Sequence, residues 1–341
     1  MTKKDALKIF KSAPLLELGR MADDVRKSLH PGGIVTFIID RNINYTNICV
    51  NQCRFCAFFR DRDDPDAYVI SRRELYKKIK ETIEFGGTQI LLQGGLNPEL
   101  DIKYYMNLLM AIKKRFNINI HGFSPPEITY IAEKSNLTIR ETLRLLRSSG
   151  LDSIPGGGAE VLSDRIRSII SPRKIKSGQW LKVMEDAHRL GMRTTATMMF
   201  GSVEKPEDII MHLNSIRRLQ DETRGFTAFI PWPFQPGNTE YAKKIPPATG
   251  VEYLRVLSIS RIYLNNIPNI QASWVTQGIK LAEIALRFGA NDLGSTMIEE
   301  NVVSATGVRH IASKEDIIKA IKNAGFKPAQ RDTYYNILKE F

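Results

Sequence analysis

Residues 71–95 read SRRELYKKIKETIEFGGTQILLQGG, one complete period of a repeating design. Ser71 with Glu74 three positions later is a helix-start signal, a capping box in which each side chain reaches the other's backbone N–H. A helical pattern follows, Gly86 and Gly87 stop it, and TQILLQ is a short apolar run of strand type. The same grammar recurs along the chain. Thr138 with Glu141 opens a helix that ends at Gly150 before LDSIPGGG. WLKVMEDAHRLG stops at Gly191 before MRTTATMMFG, and IKLAEIALRFG stops at Gly289 before ANDLGS. IHGFSPPEI and GFTAFIPWPF supply further short strands that lead into polar or proline-rich loops.

Helix and strand therefore alternate, and the strands are near-continuously apolar, as expected where helices cover a parallel sheet. The count from VTFIID to ANDLGS reaches seven or eight, which favours an α/β fold of the (β/α)8 TIM-barrel type over an open sheet. The expected division is a helical extension over residues 1–32, the barrel over 33–300, and a second helical extension over 301–341. Ser313 and Asp316 give the helix-start signal within the last. In a parallel barrel, chemistry gathers at the C-terminal ends of the strands. Residues 93–95, 121–127, 156–160, 195–199 and 232–238 fall there, and they are rich in polar groups and glycine.

Apolar residues at 43% and charged residues at 25% are ordinary globular values that argue against wholesale disorder. No apolar run is long enough to span a bilayer. The first thirty or so residues are charged and amphipathic, without a signal peptide's apolar core, so a cytoplasmic protein is expected. The net charge of +12 comes from lysines and arginines scattered through helices, with no basic tail and no nucleic-acid motif. Neither nucleic acid nor a membrane is therefore the expected partner.

All three cysteines lie in CVNQCRFC, at Cys49, Cys53 and Cys56. An odd number completes no disulfide set, and three are one short of a four-thiolate zinc site. Spaced C-x3-C-x2-C after the strand-like NINYTNI, three thiolates can converge on a [4Fe–4S] cluster and leave its fourth iron open. An open iron can bind and reduce a second molecule. Zinc with a distant histidine is the competing reading, although zinc knuckles usually come as two C-x2-C halves and no second half exists. The run Gly156-Gly157-Gly158 is entropically costly and implies a close approach to the backbone; the lysine of a nucleotide-triphosphate loop is missing.

With Phe55 before its last cysteine, the motif resembles that of the radical S-adenosylmethionine (SAM) superfamily, in which the open iron chelates SAM. Around it, NYTNICVNQCRFCAFFR, GGTQILLQGGLNP, HGFSPPEI, GLDSIPGGGAEVL, GMRTTATMMFG, FIPWPFQPGNT and GFKPAQRDTYY resemble one family in order along nearly the whole chain. That family is cyclic dehypoxanthine futalosine synthase, of the futalosine route to menaquinone. Aminofutalosine synthase and the deazaflavin (FO) synthase subunits share the cysteine motif and a GGGAE-like segment.

The resemblance implies a [4Fe–4S] cluster on Cys49, Cys53 and Cys56, with Phe55, Phe58 and Phe59 shielding it. Gln93, Gly94 and Gly95 would receive the SAM ammonium. Gly157 would let SAM approach, and Glu160 would accept from its ribose or ammonium; Glu160 equally reads as an ion-pair partner of Arg165. Ser124, Thr195, Thr197, Met199 and Ile230 complete the expected cofactor surface. His121 and Glu127 are the acid–base candidates, and His121, Trp232, Gln235, Asn238, Asn291 and Asp292 the expected substrate contacts. The implied reaction is removal of hydrogen from C4′ of dehypoxanthine futalosine by a 5′-deoxyadenosyl radical, then ring closure onto the benzoate. The electrons would come from a flavodoxin- or ferredoxin-type donor. A different class, a zinc-bearing nucleic-acid-binding module, remains the rival reading.

Overall fold

In the computed structural model, which describes all 341 residues, the barrel begins with a bent strand. β1 (Ile34–Ile38) and β2 (Asp40–Asn44) are separated only by Ile39. β2 starts a seven-stranded parallel sheet that runs through β3 (Gln89–Gln93), β4 (Asn119–Gly122), β5 (Ser153–Ile154), β6 (Arg193–Phe200), β7 (Phe226–Pro233) and β8 (Asn269–Ile270), each beside the next. β9 (Asp292–Ser295) pairs with β1 through Thr36–Asp292 and Ile38–Ser295, and meets β8 through a bridge between Gln271 and Asp292. With β1 and β2 taken as one strand, eight parallel strands close the expected barrel.

Helices α1 (Lys3–Ser12) and α2 (Leu15–Leu29), parted at Pro14, precede it. The outer layer is α3 (Arg72–Glu84), α4 (Ile102–Arg115), α5 (Pro125–Lys134), α6 (Ile139–Ser148), α7 (Asp164–Ile170), α8 (Ser177–Arg189), α9 (Pro206–Thr223) and α10 (Gly250–Tyr263). Two short helices, α11 (Trp274–Gln277) and α12 (Ile279–Ala285), follow. The Ser71 and Thr138 side chains each accept from the N–H three residues on. The returning bond that completes a capping box forms at Thr138, whose N–H donates to Glu141, whereas Glu74 makes no such bond with Ser71.

Three features depart from the reading of the sequence. Pro125 and Pro126 open α5 and do not extend a loop, because the first helical N–H groups have no partner to lose and the ring presets φ. The C-terminal stretch is only partly helical: after α13 (Lys314–Asn323) come β10 (Lys327–Arg331) and β11 (Ile337–Glu340). KPAQR and ILKE carry too few apolar residues to announce strands, and β10 finds its partner at the other end of the chain, where Ile34 to Phe37 pair with Lys327 to Gln330.

The third departure concerns the strands' two faces. Ile43, Ile90, Leu92, Ile120, Ala196 and Met198 join the continuous apolar core beneath the helices. Arg41 donates outward to Lys78 O and to Glu81 of α3, which turns Asp40, Asn42 and Asn44 inward. Thr194 bonds His188 of α8, which turns Thr195 and Thr197 inward. The barrel lumen is thus lined by amides, hydroxyls and an imidazole, where a purely structural barrel stacks Val, Ile and Leu.

Its base is closed by the C-terminal hairpin. Arg331 at the end of β10 donates to both oxygens of Asp292, at 2.6 and 3.1 Å, and Thr36 donates to the same carboxylate at 2.5 Å. The Tyr335 ring lies 3.9 Å from the Arg331 guanidinium, and Phe341 packs on Phe37.

Candidate active site

The cysteine loop leaves the C-terminal end of β2 and is pinned along its length by backbone bonds. Cys49 N–H donates to Arg60 O, Val50 to Leu96 O and Arg54 to Ile170 O. The Arg60 guanidinium donates to the carbonyls of Ala57, Phe58 and Phe59, which holds the turn beyond Cys56. The N–H groups of Phe58 and Phe59 thereby point at the Cys56 sulfur. All three thiols are free, and Cys53 is buried. This donor set fits a cluster with one open iron: three thiols on one braced loop, with N–H donors aimed at a ligand sulfur. Burial pushes the Cys53 thiol up to about 12 and raises Cys56 as well, so thiolates here need cationic company.

That company is Lys174. Its ammonium lies 2.9 Å from Glu160 Oε1 and 5.0 Å from the centre of the Phe55 ring. Burial opposes its charge, yet the Cys53 thiol and Glu160 outweigh that cost and hold its pKa above the usual lysine value. Arg167 takes the other Glu160 oxygen at 3.3 Å and donates to the carbonyls of Gly158 and Ala159. Glu160 is therefore paired with Arg167 and Lys174 and not with Arg165, which turns away to Asp208. Sequence alone missed both cations, since nothing distinguishes Lys174 from the surface lysines beside it.

The glycine run is demanded by the protein itself. A Cβ on Gly156 would lie 2.6 Å from Thr197 N, and one on Gly157 would lie 2.5 Å from Gln93 Nε2. On Gly158 it would strike Pro126. The segment is wedged between the ends of β3, β6 and α5. Gln93 and Gly157 are brought together at one spot, as are Thr197, which donates to Gly156 O at 2.6 Å, and Thr195, which accepts from Gly156 N–H at 3.0 Å.

His121 faces the lumen one level below. Its Nδ1 meets Ser153 Oγ at 2.7 Å, and burial pushes its pKa down to about 3, so the ring is neutral. Glu127 has all its near acceptors occupied: Oε1 by Tyr45 OH (2.7 Å) and Gly94 N–H (3.0 Å), Oε2 by the N–H (2.7 Å) and hydroxyl (2.5 Å) of Ser124. It ties the end of β2 to β3 and to the cap of α5. Ile230 and Trp232 are half-buried along the inward face of β7, and Met199 is buried.

The remaining expected residues lie elsewhere. Asn291 and Asp292 stand at the start of β9, at the barrel base and away from the cysteines. Asn291 Oδ1 accepts from Arg261 at 2.5 Å, and Asp292 holds Arg331. The glycine stop marks where that strand begins, and its C-terminal end lies three residues on, at Ser295. Gln235 is buried against the carbonyls of Pro233 and Thr276, and Asn238 is exposed, donating to Ala305 O. Of the other histidines, His30 bonds Pro268 O, His188 bonds two threonines, and His212 Nδ1 accepts from Leu162 N–H. None of these contacts supports zinc. A cleft of about 410 Å3 opens beside Phe58, lined by Asn44, Tyr68, Lys78, Glu299 and Asn301.

Two family models match the chain: the radical SAM superfamily over residues 43–216 and the CofH/MqnC C-terminal region over residues 223–340. Cyclic dehypoxanthine futalosine synthase of Halalkalibacterium halodurans is 47% identical, over 100% of this chain and 92% of its own length. Its namesake from Streptomyces coelicolor is 43% identical over 99% of this chain and 86% of its own. The 5-amino-6-(D-ribitylamino)uracil–L-tyrosine 4-hydroxyphenyl transferase of Methanocaldococcus jannaschii is 42% identical over 99% of this chain and 97% of its own. Among solved structures, methylornithine synthase aligns over 96% of this chain and 94% of its own with a TM-score of 0.73 at 19% identity, a likeness of fold. No helix is long and apolar enough to cross a membrane. From motif, barrel and full-length likeness alike, the chain belongs to the radical SAM superfamily, as an enzyme that works on a small molecule with a [4Fe–4S] cluster and SAM.

Proposed function

We propose that this enzyme cyclises dehypoxanthine futalosine to cyclic dehypoxanthine futalosine, a step of the futalosine route to menaquinone. The observation that carries this reading is the 47% identity to the Halalkalibacterium enzyme across the whole chain. Cys49, Cys53 and Cys56 would hold the cluster, and Gln93, Gly94, Gly157 and Glu160 surround the place for SAM. When bound, these groups supply the 5′-deoxyadenosyl radical that such a cyclisation needs. The substrate then belongs in the polar lumen, over the hairpin floor.

The chain's part is to orient and to exclude water. His121, neutral and with a pKa of about 3, is a poor base at neutral pH and a good hydrogen-bonding wall. Glu127, with its acceptors taken, is a positioning residue: it fixes Gly94 beside the cluster loop. A flavodoxin- or ferredoxin-type donor in a reducing cytoplasm is the electron source this reading requires.

The 42% identity to the Methanocaldococcus transferase favours a second reading, attachment of a tyrosine-derived ring to a ribitylaminouracil. Reconstituted enzyme, SAM and a strong reductant under anaerobic conditions separate the two. The first reading expects dehypoxanthine futalosine to be consumed to a product lighter by the hydrogens lost on ring closure. It fails if that substrate is inert while ribitylaminouracil and tyrosine turn over.

A further inference from the structure

On the inward face of β2 one polar residue is left without its partner. Asp40 accepts from Gln89 Nε2 at 2.6 Å and from Ser295, and Asn44 donates to Gln93 O and accepts from Asn301. Asn42 between them is 6% exposed, and its Oδ1 bonds nothing. A buried amide carbonyl costs about 1–3 kcal/mol unless water or a bound group satisfies it.

Its surroundings say what that partner is. Asn42 is in register with Leu91 of β3, and Leu91 with His121 of β4. Two strand spacings put Asn42 and His121 about 10 Å apart at one level of the lumen, with half-exposed Leu91 between them. His121 is also half-engaged: Nδ1 holds Ser153, while Nε2 has only Thr195 Oγ1 at 3.5 Å, beyond a firm hydrogen bond. Half-exposed Leu91 flanked by two underused polar groups has the make-up of a small-molecule binding wall. A primary amide both accepts and donates, and rotation about χ2 exchanges its two ends, so its complement is a hydroxyl.

We propose that Asn42 is a substrate-positioning residue that receives a hydroxyl of the substrate's ribosyl or polyol portion as it lies over Leu91. This deepens the reading above and rests on its placing of the substrate in the lumen.

The test uses full-length reconstituted enzyme and the substrate that the wild type turns over, dehypoxanthine futalosine first. Asn42→Ala is expected to raise the substrate Kd by about tenfold in calorimetry. Iron content and SAM affinity should stay as in wild type, while more 5′-deoxyadenosine forms per product because the substrate is misplaced. A deoxy analogue lacking the hydroxyl should bind wild type and variant alike. If Asn42→Ala folds poorly, Asn42→Leu, which removes the amide while filling its space, carries the same comparison. A substrate Kd within about twofold of wild type, with unchanged coupling, overturns the proposal. Inertness of wild type toward dehypoxanthine futalosine overturns only the cyclase reading, and the variants are then run with ribitylaminouracil and tyrosine.

Discussion

Lys174 Nζ stands 2.9 Å from Glu160 Oε1 while Arg167 Nη1 holds the opposite oxygen, so one buried carboxylate serves two buried cations. The excess positive charge lies beside the thiols, where Lys174 acts on both Cys53 and Cys56. A cluster on three thiolates is anionic overall, and its binding compensates that excess.

Lys174→Met should therefore act on the loaded enzyme and spare the empty one. The apo-protein keeps its urea midpoint, because Glu160 remains paired with Arg167. The holo-protein should release iron to a chelator on the order of tenfold faster, the scale of one charge lost at this range. Equal release rates in variant and wild type would refute the role.

Cys53→Ser removes the buried thiol from the set. Purified anaerobically, the variant should be colourless and unable to cleave SAM, with a circular dichroism spectrum like that of wild type. A wild-type protein carrying zinc and no iron would count against the cluster itself.

Gly156→Ala and Gly157→Ala should part company. The new methyl meets the backbone N of Thr197 in the first and the end of the Gln93 side chain in the second. Backbone cannot step aside, so Gly156→Ala should lose several kcal/mol of stability, at the upper end for overpacking. Gly157→Ala should fold and bind SAM more weakly. Thermal melts and SAM titrations check the pair.

Acid should unfold the protein through its buried imidazoles. Burial lowers His121 and His212 to about 3 and His188 to about 4, below the ordinary 6.5. As pH falls below 6.5 the unfolded chain takes up protons that the folded one refuses. Each ring then removes up to about 1.4 kcal/mol per pH unit until its folded pKa is reached. Urea midpoints should drop between pH 7 and pH 5, and less steeply in His212→Gln. A flat profile would show that these rings titrate normally.

The legible parts of the molecule were those with local signals. Ser71, Thr138 and Ser313 announce helices because a cap is settled within four residues, and the cysteine spacing lies in one loop. Lys174, Arg167 and Asn42 acquire meaning only from strands and turns far off in the chain. Asn291 and Asp292 show the converse: the last strand was found correctly, but which end faced the cysteines depended on where it stopped. The segment GFKPAQRDTYY carried its family resemblance without revealing that it is the floor of the barrel.

That floor has a consequence for biogenesis. β1 pairs with β10, far along the chain from it, and Phe341 rests on Phe37. Long-range pairing of this kind is slow, and the ring cannot close before β10 has been made. Until then a nascent chain exposes a half-built lumen and unpaired thiols. A bulky substitution that displaces Phe341 from Phe37 burdens that closing contact.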